Sequence, residues 1–287
     1  MKTALVFGAS GQIGLPLLDL LRDDGWRVVA VSRDVHPDRP GLEWRRGDLS
    51  RDDGLPSRPD AVFCCGPLDL FAAWHARTAV RTPRLIAFGS TSIDAKRGSA
   101  DAGERELAER LRTAERRLFE TAAARGEGAT VLRPTLVYGR GRDRNLSRIA
   151  AIARRFGRIA LPRDARGLRQ PVHADDLARA AFLAHDARAA HGRAYALPGG
   201  ETLAYREMVA RVCAALEPPA RLHELPSPFF NALLAAAHAA GFALDFNEAA
   251  VQRMRNDLVF DDADARRDFG YAPRRFRPTA AMFAAAE

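Results

Sequence analysis

Ala4-Leu5-Val6-Phe7 runs straight into Gly8-Ala9-Ser10-Gly11-Gln12-Ile13-Gly14, and Leu15, Leu17, Leu18, Leu20 and Leu21 follow. This is a strand, a glycine-rich turn and a helix, in that order. Glycine lets the chain turn tightly and lets its backbone approach a pyrophosphate. The amino end of the helix behind it offers free N–H groups and a partial positive charge. A glycine triplet alone says little, but the strand before it and the helix after it supply the context a phosphate site needs. Gly8, Ser10, Gly11, Gln12, Ile13 and Gly14 are therefore the expected cradle of a dinucleotide cofactor.

Outward from this unit the alternation continues. Apolar runs at 26–32, 42–48, 60–66, 84–90 and 129–134 read as strands. Residues 101–125 read as a long helix with Leu107, Leu111, Ala114 and Leu118 as its apolar stripe. Apolar strands alternating with helices give the fold class α/β, a doubly wound parallel sheet of Rossmann type covered on both faces. Its ligands belong at the carboxyl ends of the strands. Beyond Tyr138 the alternation loosens. Helices are expected at 145–156, at 205–216 and from an Asp175 or Asp176 cap to residue 187, with short strands at 170–173 and 194–197. The tail from Phe229 reads as mostly helical. The expected organisation is a dinucleotide-binding domain over 1–197, in which 139–167 contributes to the substrate side. A smaller, mainly helical substrate lobe follows over 198–287, with 226–247 lining the cleft.

Composition narrows the partners. The chain has 287 residues, 47% apolar and 28% charged, an ordinary globular mix. Cys64, Cys65 and Cys213 have neither disulfide-framework nor zinc spacing, so no metal is expected and a reducing cytoplasm fits. The start at Met1 runs directly into the first strand, which adds to the cytoplasmic expectation. The apolar stretch 232–244 is broken by His238 and Gly241 and is too short for a bilayer, so no membrane partner is expected. Net charge is +8, yet Lys2 and Lys96 are the only lysines and the arginines are scattered. Without a nucleic-acid-binding signature, no nucleic-acid partner is expected. The densest basic stretch, 140–169, reads either as a site for an anionic small-molecule substrate or as a solvated face.

Cofactor choice is read at the end of the second strand, where an NAD site usually carries an acid. Here Ser32-Arg33 stands in that place, and an arginine forks onto a 2′-phosphate. NADP(H) is favoured. The neighbouring Asp34 keeps NAD(H) possible.

The spacing of the first turn is G-x-x-G-x-x-G, with Ala9 in place of the second glycine of the commoner fingerprint. It resembles that of the extended and atypical short-chain dehydrogenase/reductases, the superfamily of the nucleotide-sugar epimerases. Four more segments are similar to that family's motifs in the right order: Phe88-Gly89-Ser90-Thr91-Ser92-Ile93, Leu132-Arg133-Pro134-Thr135-Leu136-Val137-Tyr138-Gly139, Arg169-Gln170-Pro171-Val172-His173-Ala174-Asp175-Asp176, and Phe260-Asp261 through Gly270-Tyr271-Ala272-Pro273. The resemblance implies cofactor contacts at Asp48, Leu49, Cys65, Gly66, Ser90, Pro134 and Val137. It implies a substrate pocket at Ser92, Tyr138, Arg140 and Arg142.

Family enzymes use a Tyr-x-x-x-Lys pair on the helix after the fifth strand. With Glu115 as anchor, those positions hold Leu107 and Leu111, and the tyrosines are Tyr138, Tyr195, Tyr205 and Tyr271, none on that helix. The remaining catalytic candidates are Thr91, Lys96 and His173. Each has a structural alternative, respectively a strand-end turn, an exposed loop lysine and an imidazole that ties loops together. The expectation is an NADP(H)-dependent oxidoreductase or epimerase/dehydratase-like enzyme. Its substrate would be a small carbonyl or hydroxyl compound and its proton donor not a tyrosine. The alternative is a non-catalytic NADP(H)-binding sensor or structural subunit.

Overall fold

A computed structural model describes residues 1–51, 53–143, 145–239 and 248–284. The first half is laid out as β1 (Thr3–Phe7), α1 (Gly14–Asp23), β2 (Arg27–Ser32), β3 (Leu42–Arg46), β4 (Ala61–Cys64), α2 (Leu68–Arg77), β5 (Arg84–Phe88), α3 (Ser92–Ala95), α4 (Ala102–Ala124) and β6 (Gly128–Pro134). The second half holds β7 (Val137–Tyr138), α5 (Leu146–Phe156), β8 (Arg158–Pro162), β9 (Leu168–Arg169), β10 (Val172–His173), α6 (Ala174–Asp186) and β11 (Arg193–Leu197). It ends with β12 (Leu203–Ala204), α7 (Tyr205–Ala214), β13 (Arg221–Leu225), α8 (Ser227–Ala239), α9 (Glu248–Arg253) and α10 (Ala263–Phe269).

Seven parallel strands form the central sheet in the order β11-β6-β5-β4-β1-β2-β3. Side chains alternate across it, as the two-residue period of a strand requires. Ala4 and Val6 of β1 face one core layer with Leu17, Leu21 and Leu177, under α1 and α6. Leu5 and Phe7 face the other with Phe71, Trp74 and Leu118, under α2 and α4. The doubly wound α/β sheet is thus as expected. A third core, including Ile149, Leu161, Met208 and Phe276, holds the lobe together. Among the described residues no helix is long and apolar enough to cross a membrane.

Three features depart from the sequence reading. The stretch between β4 and β5 holds α2, whose Leu68, Phe71, Ala72 and His75 are buried at helical spacing. The lobe carries a parallel pair, β8 with β13, as well as helices. Residues after 197 do not all stay in the lobe. Ala265, Phe269 and Tyr271 pack into the first core layer beside α6, and the Tyr271 hydroxyl donates to the Pro198 carbonyl at 2.7 Å.

Candidate functional site

The glycine turn is held by contacts with itself. Gly8 has φ +67°, and a Cβ there would lie 2.8 Å from the backbone of Cys65 and Gly66. A Cβ on Gly14 would lie 2.3 Å from the Gly8 carbonyl oxygen, so α1 can begin this close to β1 only with glycine there. Gly11 has more room, and its nearest neighbour would be the Gly8 oxygen at 3.0 Å. Gly8, Ser10 and Gly11 line a cleft of about 720 Å³ past the carboxyl ends of β1 to β4.

That cleft also takes in Ser32, Arg33, Asp48, Leu49, Cys65 and Gly66, all expected there. The Ser32 hydroxyl is the hub of its far end. It lies 3.1 Å from the Ser10 hydroxyl and 3.1 Å from His36 Nε2, and it accepts the Asp34 N–H at 3.2 Å. The Ser50 hydroxyl and N–H hold the Asp48 carboxyl below its usual range, with Arg33 and Arg51 adding to the effect. Arg77 of α2 also lines the cleft and donates to the Leu49 carbonyl. Sequence reading missed Arg77 because it missed α2. Arg142 reaches back from the loop after β7 to donate to the Ser10 carbonyl at 2.5 Å. Its expected place was the substrate pocket, yet it lines the cleft at the glycine turn.

A second cavity, about 470 Å³, lies past the ends of β5 and β6. Ser90, Thr91, Ser92 and Lys96 line one side, and Arg148, Arg169, Tyr205 and Arg253 come from the lobe. No carboxylate lines it among the described residues. Glu104, in the first turn of α4, reaches two of its cations. It accepts from Ser99 Oγ at 2.8 Å, sits 3.3 Å from Lys96 Nζ and pairs with Arg253. Burial pushes the Glu104 carboxyl upward, but Ser99, Arg253 and Lys96 together hold it below its usual range. Arg169 donates to the carbonyls of Leu168, Arg253 and Asn256, with its guanidinium 5.3 Å from the Tyr205 ring centre. Burial raises the Tyr205 phenol, which keeps it neutral. Arg169 stood in a quoted motif without a role. Tyr205 and Arg253 gave no local signal, because only the lobe's packing brings them here.

Several expected residues lie elsewhere or are already engaged. Thr91 Oγ1 donates its proton to the Pro134 carbonyl at 3.1 Å, so Pro134 anchors this loop and is absent from the cleft wall. Ser90 Oγ accepts the Ser92 N–H at 3.1 Å, which leaves its own proton for a ligand. His173 is 4% exposed and caps α6, its Nδ1 accepting the Asp175 N–H at 3.1 Å. The cap was expected at Asp175 or Asp176. A Cβ on Gly139 would lie 2.3 Å from His173 Nε2, so the imidazole is packed against backbone and away from the second cavity. Tyr138 is fully buried between His173 and Phe276, and burial pushes its phenol up to about 12. Arg140 pairs with Asp175 at 2.9 Å, outside the second cavity. Ile13 and Val137 pack with the first core layer, and Gln12 lines a separate pocket with Arg140 and His173. Of the 226–247 segment, Phe230, Leu233 and Leu234 line an apolar cavity behind α5, and 240–247 lie outside the described residues.

The sequence of residues 66–197 matches the family described as NAD dependent epimerase/dehydratase. A 2-alkyl-3-oxoalkanoate reductase of Stenotrophomonas maltophilia (strain K279a) is 30% identical over 253 residues, covering 75% of this chain and 76% of the relative. The chain belongs to the NAD-dependent epimerase/dehydratase family. The fold agrees with solved structures of that kind. An epimerase from Methanothermobacter thermautotrophicus superposes with a TM-score of 0.73 at 18% identity, over 98% of this chain and 90% of that one. A UDP-glucuronic acid 4-epimerase from Bacillus cereus in complex with NAD gives 0.71 at 14% identity, over 98% and 94%. At such identities the likeness concerns the fold alone.

Proposed function

We propose that this family member is an NADP(H)-dependent oxidoreductase acting on the carbonyl or hydroxyl carbon of a small anionic substrate, with a proton donor other than a helix-borne tyrosine. The observation that carries the reading is the pairing of two cavities along the strand ends. One is a glycine-walled cleft with arginines at its far corner, and the other is lined by cations and hydroxyls. The 30%-identical relative is a reductase named for a 3-oxo acid, and that substrate is both a carbonyl compound and an anion.

Several features of the cleft support the cofactor reading. Gly11 leaves open the space that a side chain would fill, and α1 turns the positive end of its dipole toward the pyrophosphate. Arg142 lines the cleft beside the glycine turn and would clamp it, and Arg33 and Arg77, which line the same cleft, would meet a 2′-phosphate. When bound, the cofactor exchanges a hydride with the substrate carbon. Lys96 and Arg253 attract the substrate anion, since two cations sharing the one Glu104 carboxylate leave positive charge over. Ser90 donates a hydrogen bond to the substrate oxygen, and a water held on the Thr91 lone pair supplies the proton that this oxygen takes up with the hydride, leaving a hydroxide that solvent neutralises.

The test has two stages. NADPH titration followed by fluorescence should show binding to wild type and its loss in a folded Gly11→Val protein. Turnover of a panel of carbonyl acids with NADPH should then fall about 100-fold or more in kcat for Ser90→Ala. Unchanged titration in Gly11→Val rejects the cofactor site. NADPH binding without turnover across the panel replaces the enzyme by a sensor or structural subunit, a reading that Leu107 and Leu111 on α4 favour.

A further inference from the structure

The cationic cavity has an apolar neighbour. Helix α5 serves both: Ile149 lies in the cationic wall, while Ile152, one turn on, lies in the wall of a cavity of about 510 Å³. Ile159, Leu161 and Phe230 complete most of that second wall, and Arg158 and His223 are its only polar side chains among the described residues. Met254 belongs to both walls and is 2% exposed, so it stands between the two cavities. Arg253, one residue earlier, is on the cationic side only.

We propose that this apolar cavity holds the hydrocarbon tail of the substrate, whose anionic head lies beside Lys96 and Arg253 across Met254. The proposal rests on the anionic-substrate reading above and extends it to a class, the medium- or long-chain carboxylates. Three observations favour this occupant. Four cations, Lys96, Arg148, Arg169 and Arg253, line one compartment, while the other is mostly apolar with Arg158 as its single arginine among the described residues, and an amphiphile has a similar division. A methionine is the most adaptable of apolar partitions, because its unbranched side chain turns aside without loss of a branched contact. The outer rim, Phe156 and Leu233, is about half exposed, and apolar surface left in water is stabilised when hydrocarbon covers it. A nucleotide sugar has no hydrocarbon to place there.

The test is calorimetric titration of the full chain with saturated straight-chain carboxylates from propanoate to dodecanoate, with UDP-glucose as the contrasting ligand. These acids have no carbonyl to reduce, so the result does not depend on turnover. Affinity should rise about four-fold per methylene once the chain passes Met254, the factor expected for burying CH₂ groups. Ala160→Phe, which fills the cavity from β8, should flatten that rise. Leu233→Glu, a change on the half-exposed rim that the fold readily accepts, should weaken dodecanoate at least ten-fold. Affinity independent of chain length overturns the tail site. So does a rise that persists in both variants, an absence of binding by every acid, or UDP-glucose binding more tightly than dodecanoate. A clear rise without turnover of any 3-oxo acid upholds the tail site and rejects the reductase reading alone.

Discussion

Two residues show how side-chain identity and environment combine at the site. Arg33 is an ordinary exposed arginine by composition, yet it stands on the cleft wall with Arg77 and near Asp48. One charge-assisted contact to a 2′-phosphate contributes about 1.5–3 kcal/mol, so Arg33→Ala should cost roughly ten- to a hundred-fold in NADPH affinity and leave NADH affinity alone. Calorimetry with both cofactors checks this, and a variant that keeps the wild-type preference removes Arg33 as the reader. His173 is the opposite case, a residue with catalytic chemistry in a structural post. Burial depresses its pKa, and Arg274 and Arg140 act with burial while Asp175 and Asp176 pull the other way. The folded state therefore favours the neutral ring, the form whose Nδ1 accepts the Asp175 N–H. Its contribution to stability is complete above the unfolded value of about 6.5 and is lost as pH falls from there through the lower folded-state pKa. His173→Asn keeps an acceptor without titrating, so denaturation midpoints measured between pH 7.5 and 5 should decline less steeply than in wild type. His185 and His191, also depressed by burial, keep their share of the slope. An unchanged slope would show that the cap does not sense pH.

At the scale of elements, an ion pair ties α4 to the sheet beside its apolar face. Glu115, 4% exposed, accepts from Arg133 Nε of β6 at 2.8 Å and from its Nη2. Removing the arginine strands a buried carboxylate, so Arg133→Ala should destabilise by about 3–5 kcal/mol, whereas Arg133→Met with Glu115→Leu should recover most of it. Urea denaturation of the three proteins decides the matter, and a double variant as unstable as the single one would contradict it. Both partners were visible in the sequence, Arg133 within a motif and Glu115 as an alignment anchor, but their contact was not. The same holds more widely. β1, the glycine turn, α1 and the buried strands were legible because their signals are local: an apolar run, a tight turn and a helical stripe. α2 was missed although its buried residues follow helical spacing, because ten residues give too few turns for an apolar stripe to stand out. The β8–β13 pair joins residues about sixty apart in sequence, and the return of α10 to α6 spans more, so neither leaves a local trace.

At the scale of the whole molecule, the sheet domain and the lobe meet across the cationic cavity through Lys96, Glu104 and Arg253. Lys96 follows α3 and Glu104 begins α4, while Arg253 ends α9 on the lobe side. The arrangement sets two uses of the same cations against each other. Glu104 ties the lobe to the body, but it also competes with an anionic substrate for both positive groups. Glu104→Gln keeps the shape and an acceptor while it removes the charge. The expected result is a small loss of stability, within about 1 kcal/mol for a pair open to water on one side. It should come with several-fold tighter binding of carboxylates and a steeper weakening of that binding as salt is raised. The low-lying Glu104 carboxyl keeps the bridge ionised at neutral pH, so the difference between wild type and variant should hold there in full. It should shrink only as the pH falls below the usual carboxylate range and Glu104 takes up its proton. Thermal melting and carboxylate titration at two salt concentrations separate the two uses. Weaker binding in Glu104→Gln would mean that the glutamate serves mainly to position Lys96 and Arg253, and the cavity's affinity for anions would then depend on the bridge staying closed.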